Sequence, residues 1–306
     1  MELDPRPRSK TRVRCTFRFE LGKQKMTRII FYMFAFTILT SVAAAQKVDV
    51  KDIVAKHLIS VVSPEQKTKV TNITAVGKTT YSQGLNHQRE YSGDSVLVSD
   101  GKKLALAAAF PLQDYPYERV IYDGKKLSLP YARPGVRSAL GNFLFDSNEI
   151  VKEGLFGGVL STGWLLNFPD EKKGSMSSDG TKKIDGKEVY VISYNAKAGS
   201  GLSVKMYFDV ATGRHVRTEY RRKSTQSMSH SPEASASATN DIIEEMSEDF
   251  GDFATEAGVT LPRSYKIRIA QVIGSSSREF FYNMKVATFY YNQQLDAATF
   301  DAKANN

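Results

Sequence analysis

The sequence predicts a mainly β protein, α+β in class, whose antiparallel strands form a meander interrupted by a few short helices. Three observations predict it. Apolar residues alternate with polar ones around residues 70–76, the period of two that marks a half-buried strand, and the short apolar runs 96–98 and 104–106 also read as strands. Asp-Gly occurs four times, at Asp100-Gly101, Asp123-Gly124, Asp179-Gly180 and Asp185-Gly186, and both residue types tolerate the positive φ that tight hairpin loops require. No linker divides residues 46–306, and the strands before and after the helical interruption look alike, so one domain is the economical reading. Three of the Asp-Gly sites share the pattern D-G-K-[KE]-[LV]-x-[LV]. A turn, exposed lysines and then an alternating strand explain that similarity better than a true repeat.

The chain begins differently. Residues 29–42 (IIFYMFAFTILTSV) are uncharged and apolar, preceded by Lys23, Lys25 and Arg28 and followed by Ala43-Ala44-Ala45. A positive lead, a short apolar run and a small-x-small site make a secretory signal peptide. An anchor helix would need roughly 20 apolar residues, so it is the weaker alternative. Met26 stands just before the run, so residues 1–25 read as an extension produced by start-codon choice. Residues 26–45 are then the signal peptide, cleaved after Ala45, and the expected location is the periplasm or the exterior, with no stable membrane span afterwards. Most of the formal charge of +9 belongs to this leader: residues 1–45 hold nine Lys/Arg and three Asp/Glu, leaving 33 basic and 30 acidic residues. That near-balance argues against a nucleic-acid partner. The single cysteine, Cys15, also lies in the leader, so the mature chain has no disulfide, thiolate metal site or thiol nucleophile.

Along the mature chain, Ile53, Val54, Leu58 and Val61 fall at helical spacing over residues 49–62, with Asp49 or Asp52 as cap and Pro64 as stop. Strands follow. Within residues 134–166, Val136, Leu140, Phe143 and Leu144 mark a short helix, and Asn148 is placed to cap a second one ended by Gly154. The next stretch, LFGGVLSTGWLLNF, is too short to span a bilayer and too apolar to lie free in water; it must cover a core or line a cavity. Strands resume at 188–194, 202–209 and 215–221. Residues 224–240 are Ser/Ala-rich without periodicity and read as a flexible loop. Glu244, Glu245, Glu248, Asp249 and Asp252 beyond it read as a solvated acidic edge in preference to a calcium site, since the EF-hand spacing is missing. Two more strands, 264–272 and 279–291, precede Phe300, an apolar plug for the C-terminus.

The search for catalytic chemistry finds little. None of His57, His87, His215 and His230 is paired at ligand spacing, and H-E-x-x-H is missing; His57 reads as structural. The stretch Gly158-Val159-Leu160-Ser161-Thr162-Gly163 has one residue too many for G-x-S-x-G, so Ser161 reads as a turn or cap residue. Asn72-Ile73-Thr74 matches the glycosylation sequon, which matters only in a eukaryotic host. Arg221-Arg222-Lys223 fits the acidic cluster or water as partner, with anionic headgroups as a further option. No metal, cofactor or catalytic residue is expected. The positive signal is aromatic: seventeen Phe and fifteen Tyr, with Phe280, Phe281, Phe289, Tyr290 and Tyr291 on both faces of the last strand. Such strands are sandwiched or line a cavity.

The order of features resembles the lipoprotein-carrier superfamily, the LolA/LolB-like proteins of diderm bacteria, in a secreted branch. The resemblance is carried by VDVKDIVAKHLISVV in the first helix and GLFGGVLSTGW in the glycine-rich stretch. MYFDVATGRHVRTEYR, DFATEAGVTLPRSYKIRI and the closing VATFYYNQQLDAATF complete it, over most of residues 47–301. It implies a curved, unclosed antiparallel sheet, a half-barrel, with helices on the concave side and a cavity that accepts acyl chains. It carries over no individual binding residue. From apolarity and position, the cavity is expected to be lined by Leu144, Leu155, Phe156, Leu160, Trp164 and Leu165, with Val96, Val98 and Leu106 opposite. The expected function is a non-enzymatic binder or carrier of a lipid, acyl chain or lipoprotein. The alternative is an interaction module for an envelope protein with a packed interior, and a hydrolase is the weakest reading.

Overall fold

The computed structural model describes residues 48–63, 69–84, 89–131, 134–168, 174–196, 201–227, 239–273 and 276–303. The expected signal peptide, its cleavage site and residues 228–238 of the expected loop lie outside them. The first helix, α1 (Val50–Val61), starts where expected: Asp49 is the N-cap and its carboxylate accepts from the Lys51 amide. Its Ile53 and His57 are buried, one turn apart on one face.

Twelve strands then form one sheet. The first five are β1 (Asn72–Gln83), β2 (Glu90–Asp100), β3 (Lys103–Ala109), β4 (Tyr117–Tyr122) and β5 (Leu127–Ser128). After the helical insert come β6 (Ser175–Ile184), β7 (Lys187–Asn195), β8 (Leu202–Asp209), β9 (His215–Ser227), β10 (Thr239–Glu256), β11 (Val259–Ile273) and β12 (Ser276–Tyr291). Their order is β5-β4-β3-β2-β1-β12-β11-β10-β9-β8-β7-β6, antiparallel throughout. Two meanders thus join where the last strand returns to the first, and β5 and β6 remain unpaired edges: the sheet is not closed into a barrel.

The insert shows how strongly the sheet curves. It consists of α2 (Ala139–Asp146), α3 (Glu149–Lys152) and two single 3₁₀ turns, η1 (Gly158–Leu160) and η2 (Leu165–Asn167). A Cβ placed on Gly157 would lie 3.4 Å from Leu104 of β3, and one on Gly158 would lie 2.9 Å from the His215 ring of β9. Six strand intervals separate β3 from β9, about 29 Å in a flat sheet at ~4.8 Å per strand. Neighbouring Cα atoms lie only about 3.8 Å apart. Two side chains from strands so far apart meet adjacent residues only if the sheet wraps around the insert. Both glycines have positive φ, +79° and +47°, and Gly158 also sits 2.8 Å from the Phe250 ring by the same construction. The Gly-Gly pair is therefore required twice, by conformation and by space.

Strand alternation sorts the side chains cleanly. Ala75, Leu97, Leu106 and Val120 stand at paired positions on neighbouring strands and belong to the apolar core under the insert. So do Met206, Tyr220, Met246 and Ile267 from the other meander. Phe143, Leu144, Leu155, Phe156, Leu160 and Trp164 fill the space from the insert's side, none more than 1% exposed. Each such burial contributes about 1.5–3 kcal/mol, which is how a disulfide-free chain is held together.

Several expectations need correction. Residues 239–256 form the longest strand, β10, so the acidic cluster is no solvated edge: Glu244 and Glu248 face inward and are buried, while Glu245 and Asp249 face outward to Arg221 and Arg217. The strand was hidden because carboxylates occupy both faces of it. Strands also claim the ends of the expected loop, since the backbone of 224–227 pairs with 239–242. Of the four Asp-Gly sites, Asp185-Gly186 makes a hairpin loop with both residues at positive φ. Asp100-Gly101 turns β2 into β3, and Asp123-Gly124 turns β4 into β5. Asp179-Gly180 instead sits inside β6, where the register shifts between Ser178 and Thr181: it is a bulge. Asn148 precedes α3 but makes no side-chain cap bond. Val136 lies outside α2 and is exposed. Asn72 is buried, its amide donating to the Gln293 carbonyl, which removes it as a glycosylation acceptor. Phe300 is buried as expected, in a 3₁₀ turn with Lys103 against its ring.

Candidate ligand-binding interior and its mouth

The structure brings together Leu106, Leu144, Leu155, Phe156, Leu160, Trp164 and Leu165, all in the core beneath the insert. It does not bring Val96 and Val98 to them. These two alternate with Ser95, Leu97 and Ser99, and it is Leu97 and Ser99 that face the insert, Ser99 accepting from the Thr162 amide at 2.9 Å. Val96 and Val98 therefore point to the opposite face. In V-L-V every residue is apolar, so periodicity alone cannot set parity; the register with Leu106, which pairs with Leu97, does so. Ser161 is a turn residue, accepting from the Gly163 amide.

Two polar clusters punctuate the apolar interior. At the first, Trp164 Nε1 donates to His57 Nε2 at 3.2 Å, which leaves His57 Nδ1 as donor to the Gly213 carbonyl, also 3.2 Å. Burial depresses this imidazole to about 4, against a smaller opposing effect of the Gly213 bond. His215 stacks on Trp164 with ring centroids 4.9 Å apart, and its Nε2 lies 2.8 Å from Thr218 Oγ1. Its pKa is also depressed, first by burial and then by the neighbouring His57. Both rings are sealed from solvent and serve packing. Beside them, Glu248 of β10 accepts from the Gly157 amide at 2.8 Å, from Tyr220 Oη at 2.6 Å and from Tyr265 Oη. Burial raises this carboxyl to about 7, against the pull of those three donors. One buried carboxylate thus ties the glycine pair of the insert to β9, β10 and β11.

The second cluster stands at the other end of the interior. Glu118 of β4 is buried, accepts from Tyr115 Oη at 2.5 Å, and takes a further side-chain bond from Ser138, the N-cap of α2. Burial raises its pKa and these bonds oppose the rise. Tyr115 and Tyr282 hydroxyls lie 3.2 Å apart, and Tyr81 packs on both rings. Directly inside, a gap of about 20 Å³ is lined by Leu106, Ala108, Leu140, Ile267 and Met284 together with Glu118 and Tyr282. Directly outside, Tyr81 and Tyr115 line an open groove of about 940 Å³. Its walls are Tyr91, Leu112 and Phe280 on one side and the first turn of α2 with Val136 and Arg137 on the other. Of these residues the sequence points to Leu106 as cavity lining and to Val136, Leu140 and Phe280 only as helix or strand positions; Glu118 and the tyrosines were not picked out. The signal available was the pair of tyrosines around Pro116, Tyr115 and Tyr117, beside an isolated glutamate.

No helix among the described residues is long and apolar enough to cross a membrane, and no cluster of three metal-binding side chains occurs among them. The sequence matches no protein-family model and no curated protein. Solved structures do match. A LolA superfamily protein from Nitrosomonas europaea is similar at 12% identity and TM-score 0.44, over 82% of this chain and 97% of that one. A DUF1329 family protein from Desulfovibrio piger is similar at 14% identity and TM-score 0.44, over 83% and 98%. An outer membrane lipoprotein-sorting protein domain from Vibrio parahaemolyticus gives 13% and 0.41, over 82% and 98%.

Proposed function

We propose that the protein is a non-enzymatic binder or carrier of an acyl chain, from a lipid or a lipoprotein, working in the periplasm. The observation that supports it most is the position of the aromatic groove: Tyr81 and Tyr115, which line it, touch Tyr282, which lines the gap in the apolar interior. An acyl chain entering there exchanges water for hydrocarbon at about 0.8 kcal/mol per methylene. The gap behind the tyrosines, about 20 Å³, has room for roughly one water and no acyl chain. A chain therefore reaches the interior only when α2, an eight-residue helix, shifts outward. The near-filled interior also favours a second reading, an envelope-protein interaction module, in which nothing enters.

The test is native mass spectrometry of the full mature chain after incubation with dodecanol dispersed in mild detergent. Retained adducts, reduced by Ala108→Leu at the gap, are the expected result. A clean apo mass at every concentration overturns the carrier reading and leaves the interaction module.

A further inference from the structure

The carrier reading leaves open what kind of head the ligand has, and the mouth of the groove carries information on that point. Four charged residues line it: Arg137, Arg278, Asp114 and Glu279. Glu279 is paired with Arg268, and Asp114 has a partner of its own. Arg137 and Arg278 have no carboxylate partner among the described residues. The Arg137 guanidinium is held in place by stacking, 4.6 Å from the Tyr131 ring centre and 4.2 Å from that of Phe145, with Nε donating to the Leu129 carbonyl at 3.4 Å. That leaves its terminal nitrogens as donors. A guanidinium fixed by two rings loses little freedom when it binds and presents a planar fork suited to a carboxylate or phosphate.

Three further facts point the same way. The first turn of α2 forms part of the same wall through Ser138, Ala139 and Asn142, so the positive end of the helix dipole lies along the groove. The two rings that hold Arg137 are themselves half exposed, Tyr131 by 48% and Phe145 by 54%, and Val136 beside them by 43%. These are three of the six large exposed apolar residues described; Val136 lines the groove and the two rings adjoin it through Arg137. An apolar rim, a fixed cation and an aromatic floor together match a molecule with an acidic head and a hydrocarbon tail.

We infer that the groove selects an anionic amphiphile, its carboxylate or phosphate head held at Arg137 and Arg278 and its chain laid over Tyr81 and Tyr115 toward the gap. The inference rests on the acyl-chain reading and adds the charge of the head. It is tested with ligands of one chain length and different heads: dodecanoate, dodecyl phosphate, dodecanol and dodecyltrimethylammonium, all below their critical micelle concentrations, with inorganic phosphate as the chainless control. Binding is followed by displacement of a fluorescent fatty-acid probe from the full mature chain.

The two anionic amphiphiles are expected to bind at least about tenfold more tightly than the alcohol, the worth of one charge-assisted hydrogen bond. The ammonium compound binds weakest. In Arg137→Gln/Arg278→Gln the anions fall to the level of the alcohol, whose own binding is unchanged, and Arg137→Lys keeps part of the preference. Equal binding of all four amphiphiles by the wild type overturns the head assignment while leaving the acyl-chain reading standing. Failure of every amphiphile removes both. Binding of inorganic phosphate as tight as dodecyl phosphate means a free anion is the ligand and overturns the amphiphile.

Discussion

Glu248 and Glu118 face the same side of the same sheet, each beneath two tyrosine hydroxyls, yet their surroundings differ. Around Glu248 every donor is fixed: the backbone amide of Gly157 and two tyrosines on the flanking strands β9 and β11. Glu118 accepts from the Arg119 amide of its own strand and bonds Tyr282 of β12, but its other two partners are the N-cap of a short helix and Tyr115 on a connecting segment that lines the open groove. The same group therefore does opposite work at the two ends. At one it locks the insert onto the strands; at the other it holds the edge of a wall that a ligand must move. A carboxylate with rigid partners favours one arrangement, whereas one with partners on movable elements permits two.

The largest consequence of that contrast is at the locked end. Glu248→Ala removes the acceptor for three buried donors, each costing about 1–3 kcal/mol when orphaned. The expected loss is about 3–5 kcal/mol in urea unfolding of the mature chain, enough to threaten a typical domain. Glu118→Ala is expected to cost about half as much, because its partners can turn toward groove water. Its mark is faster amide exchange confined to the start of α2. Equal losses from the two substitutions would erase the distinction between lock and movable wall.

How far this contrast could be read from the sequence depends on the element. The helix at Val50–Val61 declared itself because Asp49 caps it and its buried residues are spaced by one turn. The strand at Leu104-Ala105-Leu106 was legible as a short apolar run after an Asp-Gly turn. β10 was not: its inward residues run Glu244, Met246, Glu248, Phe250, and a strand that buries carboxylates imitates an acidic loop. Residues distant in sequence make those inward positions tolerable: Gly157, Tyr220 and Tyr265 at Glu248, Arg222 and Gln271 at Glu244. The same holds for the mouth, where Tyr81, Tyr115 and Tyr282 come from three separate stretches and meet through the β1–β12 pairing. Composition announced the abundance of tyrosine, but the closing of the sheet onto its first strand decides which tyrosines share a site.

The next effect is in the pH dependence of stability, where the buried acid and the buried base oppose each other. Glu248 titrates near 7 in the folded protein, against about 4.3 unfolded. Between those values the native state holds a proton the unfolded state has lost, so stability falls as pH rises, by about 1.4 kcal/mol per pH unit. His57 is depressed to about 4 from an ordinary 6.5. In that window the unfolded state holds the extra proton, so stability falls as pH drops, at the same slope. The two slopes cancel between about pH 4.5 and 6.5. Glu248→Gln, which stays uncharged and keeps one acceptor oxygen, unmasks the histidine: its stability is expected to decline toward acid more steeply than that of the wild type, by about one proton's slope. Parallel pH profiles for the two proteins would show that Glu248 keeps an ordinary carboxylate pKa.

The smallest effect is expected on the other face of the sheet, where charges are many and weak. Arg217 bridges to Asp249 at 2.5 Å, Arg221 to Glu245 at 3.4 Å, and Lys78 to Asp94 at 2.8 Å. The last pair is 70% and 86% exposed, where water screens the attraction and ordering two long side chains offsets it. Lys78→Ala is expected to change stability by less than about 0.5 kcal/mol, an effect further reduced in 1 M salt. The outward lysine and aspartate keep a broad antiparallel surface wet and unattractive to other sheets. A carboxylate on this face thus contributes solubility, whereas one on the inner face fixes where the insert sits. A loss above about 1 kcal/mol in Lys78→Ala would mean that the outer charges act as a coupled network and help to set the curvature of the sheet.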